Sequence, residues 1–224
     1  MRLAVIPARA NSKGLQDKNV YPILNKPLIA YTIEAAIESK LFDIIAVTTD
    51  SEKVISITQQ YEDIEILIRH PKLATDEVPL APVIVNAVNH IEARLFTTFK
   101  TVYTLQPTSP LRDSLDIIKA HAIYERYKFD SLISVKECRH SIWRRDRSYI
   151  KRVMEPADTR QETIPYYIGN GAIFISNARK LKTLKSRLFG KIGLYVMDDI
   201  NSLDVHTIDD INLCEYYLNR RKSE

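Results

Sequence analysis

This chain has little glycine, little cysteine and no long apolar run. Five glycines among 224 residues is about a third of what an average usage near 7% would supply. The shortage excludes two common phosphate cradles. A G-x-x-x-x-G-K-[ST] loop fails at the Gly190-Lys191 pair, which is followed by Ile192 and has Lys185 in the first glycine's place. A G-x-G-x-x-G fingerprint fails because Gly169-Asn170-Gly171 runs on to Phe174. Two cysteines, Cys138 and Cys214, cannot build a disulfide framework and lack metal-ligand spacing, so both are expected as reduced structural thiols. No apolar stretch approaches the ~18 residues of a membrane span, and Met1 to Pro7 reads as a strand rather than a signal peptide. A cytoplasmic protein without a membrane partner is expected. The 32 basic and 28 acidic residues leave a net charge of +4, too slight to imply a nucleic acid partner.

What the chain does have is alternation. Short aliphatic runs at Leu3 to Pro7, Ile44 to Thr48, Ile64 to Ile68, Thr101 to Leu105 and Ser131 to Val135 read as strands. Amphipathic segments at Leu28 to Ser39, Glu52 to Tyr61, Pro79 to Leu95 and Ser114 to Tyr127 read as the helices between them. Asp50-Ser51 and Asp113-Ser114 supply caps. Nearly continuous apolar strands indicate burial on both faces, so the pattern predicts an α/β fold, a mostly parallel sheet with helices on both faces. The 224 residues suit one domain. From Glu137 to Ile168 the helical period stops and basic residues accumulate, which reads as an inserted arm or small β-rich excursion. Gly171 to Ile175 and Leu194 to Met197 return as strands, and Ile208 to Leu218 closes as a helix.

Sheets of this kind bind ligands beyond the carboxyl ends of their strands. The loop after the first strand carries Arg9, Ser12, Lys13, Gly14 and Lys18. Three cations, a hydroxyl and backbone N–H groups suit a triphosphate; a solvated basic loop is the other reading. Thr48 to Ser51 reads as a helix cap. Arg69 ends the third strand, where its planar fork suits a base or carboxylate. Gln106-Pro107-Thr108-Ser109-Pro110 is a rigid polar loop that presents Gln106, Thr108 and Ser109 at the sheet edge. Asn170 stands between two glycines, which suits either ligand approach or a bend only glycine fits. Asp204 and His206 share a side in an extended segment and could hold a divalent ion, while Thr207 and Asp210 have capping-box spacing.

Taken together, these segments resemble the acylneuraminate cytidylyltransferases, the CMP-sialic acid and nonulosonic acid synthetase family. The matching phrases are Ile6 to Arg9, Asn11 to Gly14, Lys18-Asn19, Lys26 to Ile29, Tyr31 to Ala36 and Thr49 to Glu52. Leu73 to Asp76, Leu105 to Arg112, Asn170 to Ile173 and Ser202 to Asp204 continue the series in order along nearly the whole chain. The resemblance implies a Rossmann-like fold of the nucleotide-diphospho-sugar transferase type with a dimerisation arm at 137–168, and a homodimer. It implies transfer of CMP from CTP to the anomeric hydroxyl of a nonulosonic acid, with pyrophosphate released and Mg²⁺, or Mn²⁺, as cofactor. Arg9, Lys18 and Asp204 would be catalytic. Arg9, Ser12, Lys13, Lys18, Asn19, Arg69, Thr108 and Ser109 would bind nucleotide. Gln106, Arg144, Arg160, Asn170 and Phe189 would meet the sugar acid, Phe189 with Leu188 as an acyl pocket and the two arginines across the dimer. Asp204 and His206 would hold the metal.

Three departures stand out. Ala10-Asn11 replaces a glycine pair, Phe174 replaces a tyrosine, and His206 replaces an aspartate. Imidazole suits Mg²⁺ less well than a carboxylate does, so His206 is open to roles as a base or a ligand for a softer metal. Two alternatives stand beside the main reading: a Kdo-type cytidylyltransferase and a non-catalytic nucleotide-binding homologue.

Overall fold

The computed structural model describes residues 1–10, 14–146, 148–154 and 164–223. The chain opens with β1 (Arg2–Ala8), a 3₁₀ turn (Lys18–Val20) and a short hairpin of β2 (Pro22–Ile23) and β3 (Lys26–Pro27). Then follow α1 (Leu28–Glu38), β4 (Ile44–Thr49), α2 (Glu52–Thr58), β5 (Ile64–Ile68), α3 (Leu80–Leu95), β6 (Thr101–Leu105) and α4 (Ser114–Tyr127). The remainder is β7 (Ser131–Cys138), β8 (Ile142–Asp146), β9 (Tyr149–Met154), β10 (Tyr166–Asn177), α5 (Ala178–Leu184), β11 (Ile192–Met197) and α6 (Ile208–Ser223).

Seven strands form one sheet in the order β11-β7-β10-β6-β1-β4-β5. The pairs among β5, β4, β1 and β6 are parallel, as is β7 with β11, while β10 runs antiparallel to both its neighbours. The expected mostly parallel sheet is therefore present, with one reversed strand in its interior. Because β10 is reversed, its first half lies at the edge where the other strands end. There its register with β7 shifts between Gly169 and Phe174.

Alternation along β1 explains the two layers of core. Ala4, Ile6 and Ala8 face one way, toward Ile29 and Ile33 of α1 and Ile117 of α4. Leu3 and Val5 face the other, toward Ile84, Val88 and Ile91 of α3 and Leu181 of α5. Each of the buried leucines, isoleucines and valines among them contributes roughly 1.5–3 kcal/mol. A third cluster joins Ile23, Leu28, Leu111 and Val205 to Ile211 and Cys214 of α6. Both cysteines are free and buried.

The caps follow the sequence. Asp113 and Asp116 form a reciprocal capping box at α4, and Ser51 accepts from the Val54 N–H at α2. Thr207 and Asp210 do the same before α6, with the Asp210 carboxylate accepting the Thr207 N–H at 2.8 Å. α5 answers to no element anticipated from the sequence, and α6 extends five residues beyond the expected Leu218. In the 137–168 region, β7 continues to Cys138, β8 and β9 pair as a separate two-stranded sheet, and β10 begins at Tyr166. Among the described residues, no helix is long and apolar enough to cross a membrane.

Candidate nucleotide site

A cavity of about 350 Å³ opens at the carboxyl ends of β1, β5 and β6, lined by Arg9, Lys18, Asn19, Arg69, Gln106, Thr108 and His206 among others. The loop after β1 is fastened from three sides. Asp50 accepts the Ala10 N–H at 2.8 Å, the Asn19 amide donates to the Arg9 carbonyl at 2.9 Å, and the Arg9 guanidinium pairs with Asp76 at 2.5 Å. The Asp50-Ser51 pair thus divides its work, since Ser51 caps α2 while Asp50 reaches across to the β1 loop.

Lys18 donates from Nζ to the carbonyl of Val205 at 2.8 Å. Burial lowers the pKa of its ammonium; Asp204 opposes that shift and Arg9 adds to it. Arg69, only 5% exposed, donates from Nη2 to the Thr48 carbonyl at 2.8 Å. Its Nε has no partner among the described residues. Desolvation lowers the pKa of this guanidinium too, with Asp50 opposing and Arg9 adding. The site is a desolvated cluster of cations whose mutual repulsion an anionic ligand would relieve.

The segment after β11 closes the cavity. His206 Nε2 and Asp204 Oδ2 are 2.9 Å apart, which places the two side chains together as the extended spacing requires. Asp204 Oδ1 is buried and has no hydrogen-bond partner among the described residues. Gly14 packs beneath this segment, and a Cβ at that position would lie 2.6 Å from the His206 carbonyl oxygen. Gly171 has φ +76°, and a Cβ there would sit 3.2 Å from Gln106 Oε1, so the bend before the second half of β10 seats the Gln106 side chain.

Arg9, Lys18, Asn19, Arg69, Gln106 and Thr108 are therefore brought to one cavity, with His206 on its wall and Asp204 beside it. Ser109 lies buried behind Thr108. Phe189 is elsewhere: it is 8% exposed and packs in the α3 and α5 layer of the core, with its backbone N–H and carbonyl both bonded to Ser131 Oγ. The expected apolar pocket around it is replaced by core packing. Asn170 is also buried, with its amide engaged inside the protein. Arg144 lies exposed on β8, 3.5 Å from Asp146. Ser12, Lys13 and Arg160 lie outside the described residues. Asp50 and Asp76 carry the site's framework without having been singled out as functional from the sequence, because nothing in their spacing shows which loop each one faces.

The sheet order and the basic cavity at its carboxyl edge define an α/β protein of the doubly wound class, with the cavity at the edge where such sheets bind their ligands. Two solved structures share the fold: a CMP:2-keto-3-deoxy-manno-octonic acid synthetase complexed with CTP (TM-score 0.72, 14% identity, 98% of this chain and 99% of that one) and a 4-diphosphocytidyl-2C-methyl-D-erythritol synthase from Anaerococcus prevotii (TM-score 0.69, 12% identity, 97% and 98%). Residues 3–174 match the cytidylyltransferase family, and the chain belongs to it. It is 36% identical to an N-acylneuraminate cytidylyltransferase of Escherichia coli O18:K1:H7, over 94% of this chain and 50% of that protein. It is 32% identical to a CMP-N,N'-diacetyllegionaminic acid synthase of Legionella pneumophila, over 95% and 94%. The chain spans about half the length of the N-acylneuraminate cytidylyltransferases it matches.

Proposed function

We propose that the protein transfers CMP from CTP to the anomeric hydroxyl of a sialic-acid-like nonulosonic acid and releases pyrophosphate. The observation that carries the reading is the convergence of Arg9, Lys18 and Arg69 on one cavity beside Asp204. In this reaction the sugar hydroxyl loses its proton to solvent and its oxygen forms a bond to the α-phosphorus as the bond from that phosphorus to the oxygen bridging to the β-phosphate breaks, releasing pyrophosphate. Such transfer needs positioning and charge neutralisation more than covalent help from the protein. Arg9 and Lys18 face the triphosphate. Each cation aimed at developing charge is worth about 10²–10³ in rate. Asn19 orders the Arg9 backbone, and Arg69, fixed by Thr48, reads the base from the end of β5.

The residues present fit a hard divalent ion. Asp204 Oδ1 is a buried carboxylate oxygen without a partner among the described residues, and Mg²⁺ is commonly held by one or two carboxylates together with substrate phosphates and water. Asp204 would hold it, with His206 alongside; among the described residues no third His, Cys, Asp or Glu completes a protein-only cage. When bound, the ion neutralises charge on the phosphates. Mn²⁺ accepts imidazole more readily and suits the same pair.

The reading extends to a cytoplasmic homodimer. Supporting a second copy, the β8–β9 hairpin exposes Trp143, Tyr149, Ile150 and Val153 on a small two-stranded sheet, surface that commonly marks an interface. The test is pyrophosphate release from CTP with Mg²⁺ or Mn²⁺ across a panel of nonulosonic acids, with the eight-carbon acid Kdo included. Release with a nonulosonic acid is expected; CTP binding without release with any acid would overturn the enzyme reading.

A further inference from the structure

Asn170 is the residue whose surroundings agree least with a sugar contact. It is 7% exposed. A side-chain amide offers two acceptor sites and two donor hydrogens, and the protein uses all four. Oδ1 accepts from Ser134 Oγ at 2.6 Å and from the Ala172 N–H at 3.3 Å. Nδ2 donates to Ser202 Oγ at 2.9 Å and lies 3.2 Å from Met197 Sδ. The Ala172 N–H can only donate, which fixes which amide atom is the oxygen. Ser134 is itself tied to β10 by the Ile173 N–H at 2.8 Å.

The group that Asn170 holds is the more telling part. Ser202 lies two residues before Asp204, in the segment that runs from β11 to α6. That segment is pinned at intervals: the Asn201 N–H bonds Asp198 at 2.7 Å, the Asn201 amide bonds Asp116 at 2.8 Å, and the Val205 N–H bonds the Thr108 carbonyl at 2.8 Å. Asp204 sits between these anchors. One of its carboxylate oxygens meets His206, and the other has no partner among the described residues to fix its direction. Its aim is therefore set by His206 and by the backbone on either side of it.

We infer that Asn170 is a positioning residue for Asp204, acting through Ser202, and not a contact for the sugar acid. The inference rests on the metal role of Asp204 proposed above. A displacement of about 1 Å at a reacting group can cost 10²-fold in rate, so losing the Ser202 anchor acts on the metal.

The test compares Asn170→Asp and Ser202→Ala with the wild type. Two quantities are read: Mn²⁺ affinity in the presence of CTP, by electron paramagnetic resonance, and the apparent KM for the sugar acid. Both variants are expected to bind Mn²⁺ at least tenfold more weakly, with sugar KM within twofold of wild type. The double variant should be no worse than the poorer single one, because both remove the same link. Unchanged Mn²⁺ affinity in Ser202→Ala, or a tenfold rise in sugar KM confined to Asn170→Asp, would overturn the inference. Ser202→Ala removes a single hydroxyl and keeps the test open should Asn170→Asp fail to fold. A wild-type protein that binds CTP and Mn²⁺ yet releases no pyrophosphate would remove the proposed reaction and leave Mn²⁺ affinity to decide this point.

Discussion

The ammonium of Lys18 is held by the carbonyl of Val205, 187 residues away in the sequence. Its direction is fixed by backbone from the far end of the chain, and its charge is supported by Asp204 against the effect of burial. Replacing it with methionine keeps the length of the side chain and removes the charge. Lys18→Met should lower kcat by about 10²–10³ while CTP still binds. The wild-type rate should also fall with rising pH below the ordinary lysine range, since burial lets this ammonium lose its proton early. Rate profiles from pH 7 to 10.5 check this, and the alkaline limb should be absent in the variant.

Gly14 has no room for a side chain against the His206 carbonyl, a backbone atom that cannot swing aside. Gly14→Ala should separate the β1 loop from the Asp204 segment. CTP affinity and turnover are expected to drop tenfold or more, with little change in melting temperature because the contact lies at the cavity rim. Calorimetric titration with CTP reads the affinity directly.

Arg69 makes its bond through a planar fork that lysine cannot copy. Arg69→Lys preserves the charge but loses the Nη2 bond to Thr48, at a cost of about 1–3 kcal/mol for the carbonyl left behind. Discrimination between CTP and UTP should narrow more than overall affinity falls. Competition binding with the two nucleotides measures it.

Phe189 supports the core. Phe189→Ala should destabilise the fold by about 3–5 kcal/mol, seen in urea unfolding. Protein that remains folded should keep its KM for the sugar acid, in contrast to a role in an acyl pocket.

Asp210 gathers three bonds, from the His206 N–H, the Thr207 N–H and the Thr207 hydroxyl. Partial burial would raise its pKa, but these bonds outweigh burial and lower it. The sign follows: the carboxylate's stabilising contribution is complete above the ordinary aspartate value of 3.8 and is lost as pH falls through the lowered value. Asp210→Asn should cost about 1 kcal/mol at neutral pH, as other lost caps do. The difference from wild type should shrink in thermal melts below pH 4.

Much of this was legible in the residues. The apolar runs gave β1, β4, β5, β6 and β11 within about two residues, and Asp113 and Thr207 announced their caps. The carboxyl-end rule brought Arg9, Lys18, Arg69 and Gln106 to one place. The reversal of β10 was hidden, because a strand buried on both faces reads alike in either direction. The burial of Phe189 was hidden for a related reason, since an aromatic after a basic stretch suits a core as well as a pocket. Asn170 was visible as special, flanked by Gly169 and Gly171, but sequence does not show that Ser134 and Ser202 consume its amide. The Arg9 and Asp76 pair is a long-range meeting of two loops that no local spacing encodes.

The third core cluster has a consequence for the cavity. Ile23 and Leu28, near the start of the chain, are covered by Val205, Ile211 and Cys214 near its end, and the Leu24 N–H bonds Glu215 of α6. The apolar side of the β2–β3 hairpin is therefore sheltered only when the segment around Val205 and α6 docks on it. The loop that bears Lys18 directly precedes that hairpin. The cavity that Lys18 lines thus leans on an early and a late segment at once, and loosening α6 would uncover the hairpin beside it.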